Sequence, residues 1–271
     1  MTDSPDSAAR RDASPREWNA TAYHAVSDPQ FAWGMRVLDR VSLAGDEHVL
    51  DAGCGSGRLT KELMARIPAG EVVGCDHSEN MAQVATRTLG SSKRASVVCA
   101  DLSVLPFREA FDLIFSTATF HWIRDHRRLF MELRRVLREG GRMEAQCGGG
   151  PNLAAIHARA DALAAETVFR DAFNGWHEPW HFAAPDQTEL ILLDAGFRSA
   201  HCWLEPSPTM FPDADRYRAF VEAVVLRPYL AQLASSELKA RFVETLVAKA
   251  SQDDPPYTLD YWRLNISATT S

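Results

Sequence analysis

Three carboxylates recur at an even spacing in the first half of the chain: Asp51, Asp76 and Asp101 stand 25 residues apart, each closing a short apolar run. The first run continues into a glycine-rich turn, Val49-Leu50-Asp51-Ala52-Gly53-Cys54-Gly55-Ser56-Gly57. Gly53, Gly55 and Gly57 let the backbone turn sharply and let a ligand approach with no Cβ in the way. An acid at the end of the second run, Asp76, can accept from both hydroxyls of a ribose. Asp101, before Leu102, could accept from the exocyclic amine of a purine, and Asp51 would suit a cationic amino group or a sulfonium. A rim of three acids disfavours phosphate. The dinucleotide fingerprint G-x-G-x-x-G requires glycine where Arg58 stands, and the phosphate-loop Gly-Lys-Ser/Thr is missing. The same acids could be turn formers and helix caps, but all three falling on one edge favours a ligand rim.

The elements that must carry these residues alternate. Short apolar strands are expected at His48–Ala52, Glu71–Cys75, Ala95–Ala100, Phe111–Ser116 and Arg142–Cys147, with helices at Arg58–Arg66, Ser78–Leu89 and Arg127–Arg138 between them. Ser78 is a natural N-cap. In the third helix, Leu129, Leu133, Val136 and Leu137 cluster opposite Arg127, Arg134, Arg135 and Arg138, a solvated basic face. Such alternation implies an α/β fold, a doubly wound parallel sheet built through right-handed crossovers, with ligands beyond the carboxyl ends of the strands. Two later strands, Phe197–Leu204 and Leu259–Ser267, bring the sheet to seven, mostly parallel. Further helices are expected at Pro29–Val41, Asn152–Arg170, Asp186–Ala195, Ala214–Leu226 and Ser236–Ala250, and a loop carries Trp176, His177, Trp180 and His181. The resulting plan is a disordered tail over 1–16 and one domain over 17–271, with a helical lid at 17–44 and cap insertions at 148–184 and 205–256.

Composition narrows the partners. The chain has 271 residues, 46% of them apolar, and 29 Lys+Arg against 36 Asp+Glu, a net charge of −7. An acidic chain does not suit nucleic acid, whose binding rests on neutralising phosphates. No apolar run approaches the roughly 18 residues of a membrane span, and Met1 to Glu17 has no apolar core of a secretory signal. Cys54, Cys75, Cys99, Cys147 and Cys202 are odd in number and scattered, so neither a disulfide framework nor a metal site is expected, and the location is expected to be cytoplasmic. A monomer is favoured, although nothing in the sequence determines the oligomeric state.

The runs VLDAGCGSG, VVGCDHSENM, CADLSVLPF and FDLIFSTATFHW, followed by Leu137-Arg138-Glu139-Gly140-Gly141, together resemble a class I S-adenosylmethionine-dependent methyltransferase over about residues 46–147. The resemblance implies a Rossmann-like methyltransferase fold and S-adenosyl-L-methionine as cofactor. It implies that Gly53, Gly55 and Gly57 turn against the methionyl part with Asp51 near its amino group, and that Asp76 binds the ribose. His77 and Met81 then flank the adenine, Asp101 with the Leu102 backbone reads its amine, and Ser116 lies near the sulfonium.

A narrower resemblance is carried by Trp18, Asn19 and Tyr23, by Phe120-His121-Trp122-Ile123-Arg124-Asp125-His126 and by Leu226-Arg227-Pro228-Tyr229-Leu230. These are similar to the trans-aconitate methyltransferases and the malonyl-carrier methyltransferases of biotin synthesis. The implied reaction is methyl transfer to an oxygen of a small molecule, with a carboxylate as leading acceptor, and the implied lid residues are Trp18 and Tyr23. His121 departs from the glutamine of the trans-aconitate enzymes. It could be a general base, a hydrogen-bond partner of the substrate or a strut for the cap. Trp122 and Arg227 are further candidates on the acceptor side, because an arginine fork suits a carboxylate. Alternatives are a carrier-bound or natural-product hydroxyl or phenol acceptor with His121 as base, and a cofactor-binding protein without turnover. Asp254-Pro255-Pro256-Tyr257 resembles the amine-holding motif of nucleic-acid amino-methyltransferases. It follows a polar helix end rather than an apolar strand and is read as punctuation.

Overall fold

The computed structural model describes residues 28–271; the expected tail, Trp18 and Tyr23 lie outside them. Alternation of side chains along β1 (His48–Ala52) sets the architecture: Val49 packs into one core and Leu50 into another, so the strand is buried on both faces. The same holds along β4 (Phe111–Thr117), where Ile114 joins Leu50 while Leu113 and Phe115 join Val49. α1 (Asp28–Arg40) and α2 (Arg58–Arg66) cover the Val49 face through Val37, Leu38 and Leu63. The crossover from β2 (Glu71–Asp76) to β3 (Ala95–Cys99) is α3 (Glu79–Leu89), capped by the Ser78 hydroxyl, which accepts from the Met81 amide.

α4 (His126–Val136) leads into β5 (Leu137–Gly148), then follow α5 (Ala154–Ala164), α6 (Pro185–Asp194) and β6 (Ser199–Pro206). The expected helix reaching Arg138 ends at Val136 instead, because Leu137 is drawn into the sheet beside Phe111. The β4–β5 ladder then slips before Leu113 pairs with Arg142, so the strand is longer than the apolar run that signalled it. The arginines of α4 are tied to neighbours: Arg127 to Asp194, Arg128 to the Ser103 carbonyl, Arg134 to Glu139 and Arg135 to Glu132.

The remaining elements are β7 (Thr209–Met210), α7 (Ala214–Phe220), α8 (Arg227–Leu230), α9 (Ser236–Ala250), β8 (Thr258–Leu259) and β9 (Trp262–Thr269). Leu259, expected to open the last sheet strand, pairs instead with Thr209 in the small β7–β8 ladder. The main sheet has the order β3-β2-β1-β4-β5-β9-β6, with β9 antiparallel to both neighbours. The chain leaves β1 toward β2 and later returns to its other side with β4, which opens a crevice above the carboxyl ends. Over that crevice a second core joins α5, α7, α8 and α9 around Tyr217, Phe220, Tyr229, Phe242 and Leu246, with Trp33 of α1 contributing to it. No helix among the described residues is long and apolar enough to cross a membrane.

Candidate active site

A cavity of about 380 Å³ lies at the crevice, walled by the ends of β1–β4, α1, the cap and β9. Its floor is the glycine turn. Gly53 adopts φ +85° and donates its amide to the Cys75 carbonyl (2.7 Å), and a Cβ there would fall 2.0 Å from Thr119 Oγ1. The loop after β4 therefore presses on the turn so closely that only glycine fits. Gly55 (φ +53°) faces the cavity with no atom within 4 Å of where its Cβ would be. The Gly55 amide donates to Asp76 Oδ2 and the Ser78 amide to Asp76 Oδ1, both at 2.9 Å. Asp76 thus holds the turn in shape while each carboxylate oxygen keeps further acceptor capacity. Burial pushes its pKa up despite these two bonds. His77, Met81, Asp101 and Leu102 also line the cavity; Met81 and Leu102 are buried and apolar, and Asp101 is exposed, accepting from the Ser103 amide.

Three expected contact residues stand elsewhere. Asp51 is 2% exposed and behind the turn, where its Oδ2 accepts from the Thr60 hydroxyl at 2.6 Å; it is not part of the cavity wall. Gly57 faces the backbone of Ala85, serving the approach of α2 to α3. Ser116 is buried and donates to the Ala52 carbonyl (2.6 Å), joining β4 to β1, while Thr117, Ala118 and Thr119 reach the cavity in its place. A strand end marks the right neighbourhood, but side chains alternate across it.

Burial pushes the Asp51 carboxyl up to about 7, Thr60 opposing and Asp76 adding to the rise. A carboxyl with a folded-state pKa above its unfolded value binds the proton more tightly when folded, so it costs stability as pH rises from the usual carboxylate range through about 7. Asp51→Asn keeps an acceptor for Thr60 and removes that cost. Its melting temperature should match the parent near about pH 4 and exceed it by a few degrees at about pH 8. Thermal melts across this range check the sign; a deficit growing with pH would show that the charged form is favoured.

The other wall comes from the turn after β4, from the cap and from β9. His121 sits in a 3-10 turn, Phe120–Trp122, and its Nδ1 accepts the Gly148 amide at 3.3 Å. That bond assigns the proton to Nε2, which has no partner among the described residues. Burial, with Arg263 and His126 nearby, holds the His121 pKa well below its usual range. Trp122 and Arg227 line the cavity. Arg227 follows a π turn at Val221–Val225, closed by the Leu226 amide donating to the Val221 carbonyl, and opens α8, where Pro228 needs no amide partner.

Trp33, Asn152, His157, Phe182 and Arg263 line the cavity without having been singled out by the sequence, and Trp180 joins them. Arg263 is 3% exposed, its guanidinium 4.6 Å from the Trp33 ring. An arginine inside a strand carries no local sign that it will be buried. The Asp254-Pro255-Pro256-Tyr257 tetrapeptide lies between α9 and β8 and is not part of this wall. Four of the five cysteines are buried, all five are free, and burial pushes the Cys75, Cys147 and Cys202 thiols up to about 12, leaving them protonated at neutral pH.

The floor fits S-adenosylmethionine: an open Cα at Gly55, a carboxylate with spare acceptor capacity beside it, and apolar surface at Met81 and Leu102. A family model described as a methyltransferase domain matches residues 50–145. The chain is 31% identical over 208 residues to a malonyl-[acyl-carrier protein] O-methyltransferase of Geobacter sulfurreducens, covering 76% of each. It is 26% identical over 226 residues to a trans-aconitate 2-methyltransferase of Acidovorax ebreus, covering 81% of this chain and 83% of the relative. Its fold is similar to that of Haemonchus contortus phosphoethanolamine N-methyltransferase 2, solved in complex with S-adenosyl-L-methionine, with a TM-score of 0.61 and 18% identity over 93% of this chain and 57% of that one. With its glycine turn, strand-end carboxylate and seven-stranded sheet, the chain belongs to the S-adenosylmethionine-dependent methyltransferases.

Proposed function

We propose that this enzyme methylates an oxygen of a small-molecule carboxylate. The observation that carries the reading is the polarity of one cavity: β2 and the end of β3 contribute Asp76 and Asp101, whereas the cap and β9 contribute Arg227 and Arg263. Acids suit the ribose and base amine of a cationic cofactor, and guanidinium forks suit a carboxylate. The names of the relatives, trans-aconitate 2-methyltransferase and malonyl-[acyl-carrier protein] O-methyltransferase, point to the same acceptor class.

In this reading Asp76 accepts from the ribose hydroxyls, Met81 and His77 flank the base, Asp101 with the Leu102 backbone reads its amine, and the Gly53–Gly55 turn supports the methionyl part. When bound, S-adenosylmethionine supplies a sulfonium methyl group: the acceptor oxygen forms the new C–O bond as the C–S bond breaks, its electron pair going to sulfur. A carboxylate is already ionised at neutral pH, so no proton has to leave it. The chain's part is then orientation and exclusion of water by the cap. His121, neutral with its proton on Nε2, serves as a donor to the acceptor; taking a proton would place a charge in a buried position beside Arg263.

The test is methyl transfer to a panel of carboxylic acids, alcohols and phenols, with parent and His121 variants. Carboxylates should be esterified with a rate that stays flat between about pH 6 and 9. His121→Gln, which keeps a donor, should change little, and His121→Phe should raise KM roughly tenfold with kcat nearly unchanged, the loss of one hydrogen bond. Turnover confined to hydroxyl acceptors, with kcat lost in His121→Gln and a rate that rises with pH, would replace this reading with one in which His121 is a base.

A further inference from the structure

We infer that the acceptor is an aryl carboxylic acid, one carboxylate on a flat aromatic body, which lies against a wall of parallel rings formed by His157, Trp180 and Phe182. The inference rests on the carboxylate reading above. The three rings come from two places, His157 from α5 and the others from the segment before α6, yet they share one orientation. His157 and Trp180 are 4.4 Å apart with planes 14° from parallel, His157 and Phe182 5.8 Å and 8°, Trp180 and Phe182 6.1 Å and 18°. All three line the cavity. His157 and Trp180 stack on one another, so a flat π system packs against the cluster by offset-stacked or edge-to-face contact, either of which adds to simple burial.

The wall is uncharged: burial pushes the His157 pKa down to about 4, so the imidazole is neutral at physiological pH. It is also held at a set distance from the acceptor turn. The His181 amide, between Trp180 and Phe182, donates to the His121 carbonyl at 2.7 Å, and the Gly150 amide donates to the Ala183 carbonyl at 3.0 Å. Beneath the rings, Tyr229 packs 5.8 Å from Trp180 and anchors its hydroxyl on Asp161 at 2.6 Å. Val224, Val225 and Leu153 continue the apolar surface. A second carboxylate laid against the three rings would lose its hydration with no cation among them to replace it; only one that reaches Arg227 or Arg263 escapes that cost, so a polycarboxylate is the competing occupant that the experiment must include.

The experiment compares trans-cinnamate and phenylacetate with hexanoate, malonate and trans-aconitate as acceptors. Methyl ester formation is measured, together with calorimetric binding of each acid to the protein saturated with S-adenosylhomocysteine. The aryl acids should have kcat/KM roughly tenfold or more above hexanoate and the polycarboxylates. His157→Leu, which keeps an apolar side chain and removes the ring, should raise KM and the dissociation constant for aryl acids several-fold more than those for hexanoate. If its melting curve shows unfolding, Phe182→Leu provides the same comparison. Preference for malonate or trans-aconitate, or equal losses for aryl acids and hexanoate in the variants, would overturn the inference and leave the carboxylate reading in place. Methylation of alcohols or phenols with no carboxylate accepted or bound would overturn both.

Discussion

Asp76→Ala should bind S-adenosylmethionine at least about 100-fold more weakly than the parent in a calorimetric titration, the loss of two or more charge-assisted hydrogen bonds. The size follows from the double duty of this carboxylate. Inside the protein it accepts the amides of Gly55 and Ser78, so it shapes the turn on which the methionyl part rests. Toward the cavity it offers its remaining lone pairs to the ribose. Alanine removes both functions. Asp76→Asn keeps one acceptor oxygen but turns an NH2 toward a backbone amide, and should fall between the parent and alanine, roughly 10-fold to 100-fold weaker. Burial raises the Asp76 pKa, so the charged carboxylate costs stability as pH rises above the ordinary carboxylate range. Asn relieves that cost but leaves one of the two amides without an acceptor, so the two effects oppose each other and its melting temperature at about pH 8 should stay close to the parent's. Weak binding with an undiminished melting temperature separates a binding role from a folding one. Unchanged affinity in Asp76→Ala would remove the residue from the cofactor site.

The second large effect is expected at Arg263. Arg263→Met should lower kcat/KM for a carboxylate acceptor roughly 100-fold, corresponding to about 2–3 kcal/mol for a buried charge-assisted contact. Cofactor affinity should stay within about threefold, because Asp76 and the glycine turn are carried by β1 and β2 rather than β9. Methionine fills most of the space over Trp33 without a charge. Arg263→Lys should recover only part of the loss, since an ammonium cannot reproduce a planar two-pronged donor. The same substitution tests the electrostatics at His121, whose pKa is lowered partly by this guanidinium. Steady-state kinetics on parent, Met and Lys variants, with cofactor titrations on each, decide the matter. Equal kcat/KM in the parent and Arg263→Met would remove the arginine from acceptor binding.

Legibility differed between the two sides of the cavity. Around the cofactor floor, β1, β2, β4, α2 and α3 follow the apolar periodicity closely, and Ser78 caps α3 as its type suggests. Misplaced residues there are misplaced by one or two positions: Asp51 and Ser116 sit at strand ends, but their side chains bond to Thr60 and Ala52 instead of facing the cavity. Spacing along a strand locates its end without determining which neighbour reaches the ligand, because the pleat sends successive side chains to opposite faces. At β5 the periodicity itself misled, as pairing with Phe111 took Leu137 out of the helix whose apolar stripe it continues.

The sheet, its winding, the glycine turn and the carboxylate at the end of β2 are legible in local patterns, because each depends on residues adjacent in the chain and on backbone conformations that glycine permits. The opposite wall of the cavity is set by long-range packing instead. Trp33, His157, Trp180, Arg227 and Arg263 belong to separate elements, and they meet because β9 returns antiparallel between β5 and β6 and the cap folds over the crevice. The reason is physical: a buried arginine or a stacked histidine is defined by neighbours distant in sequence, and no local pattern of polarity records them.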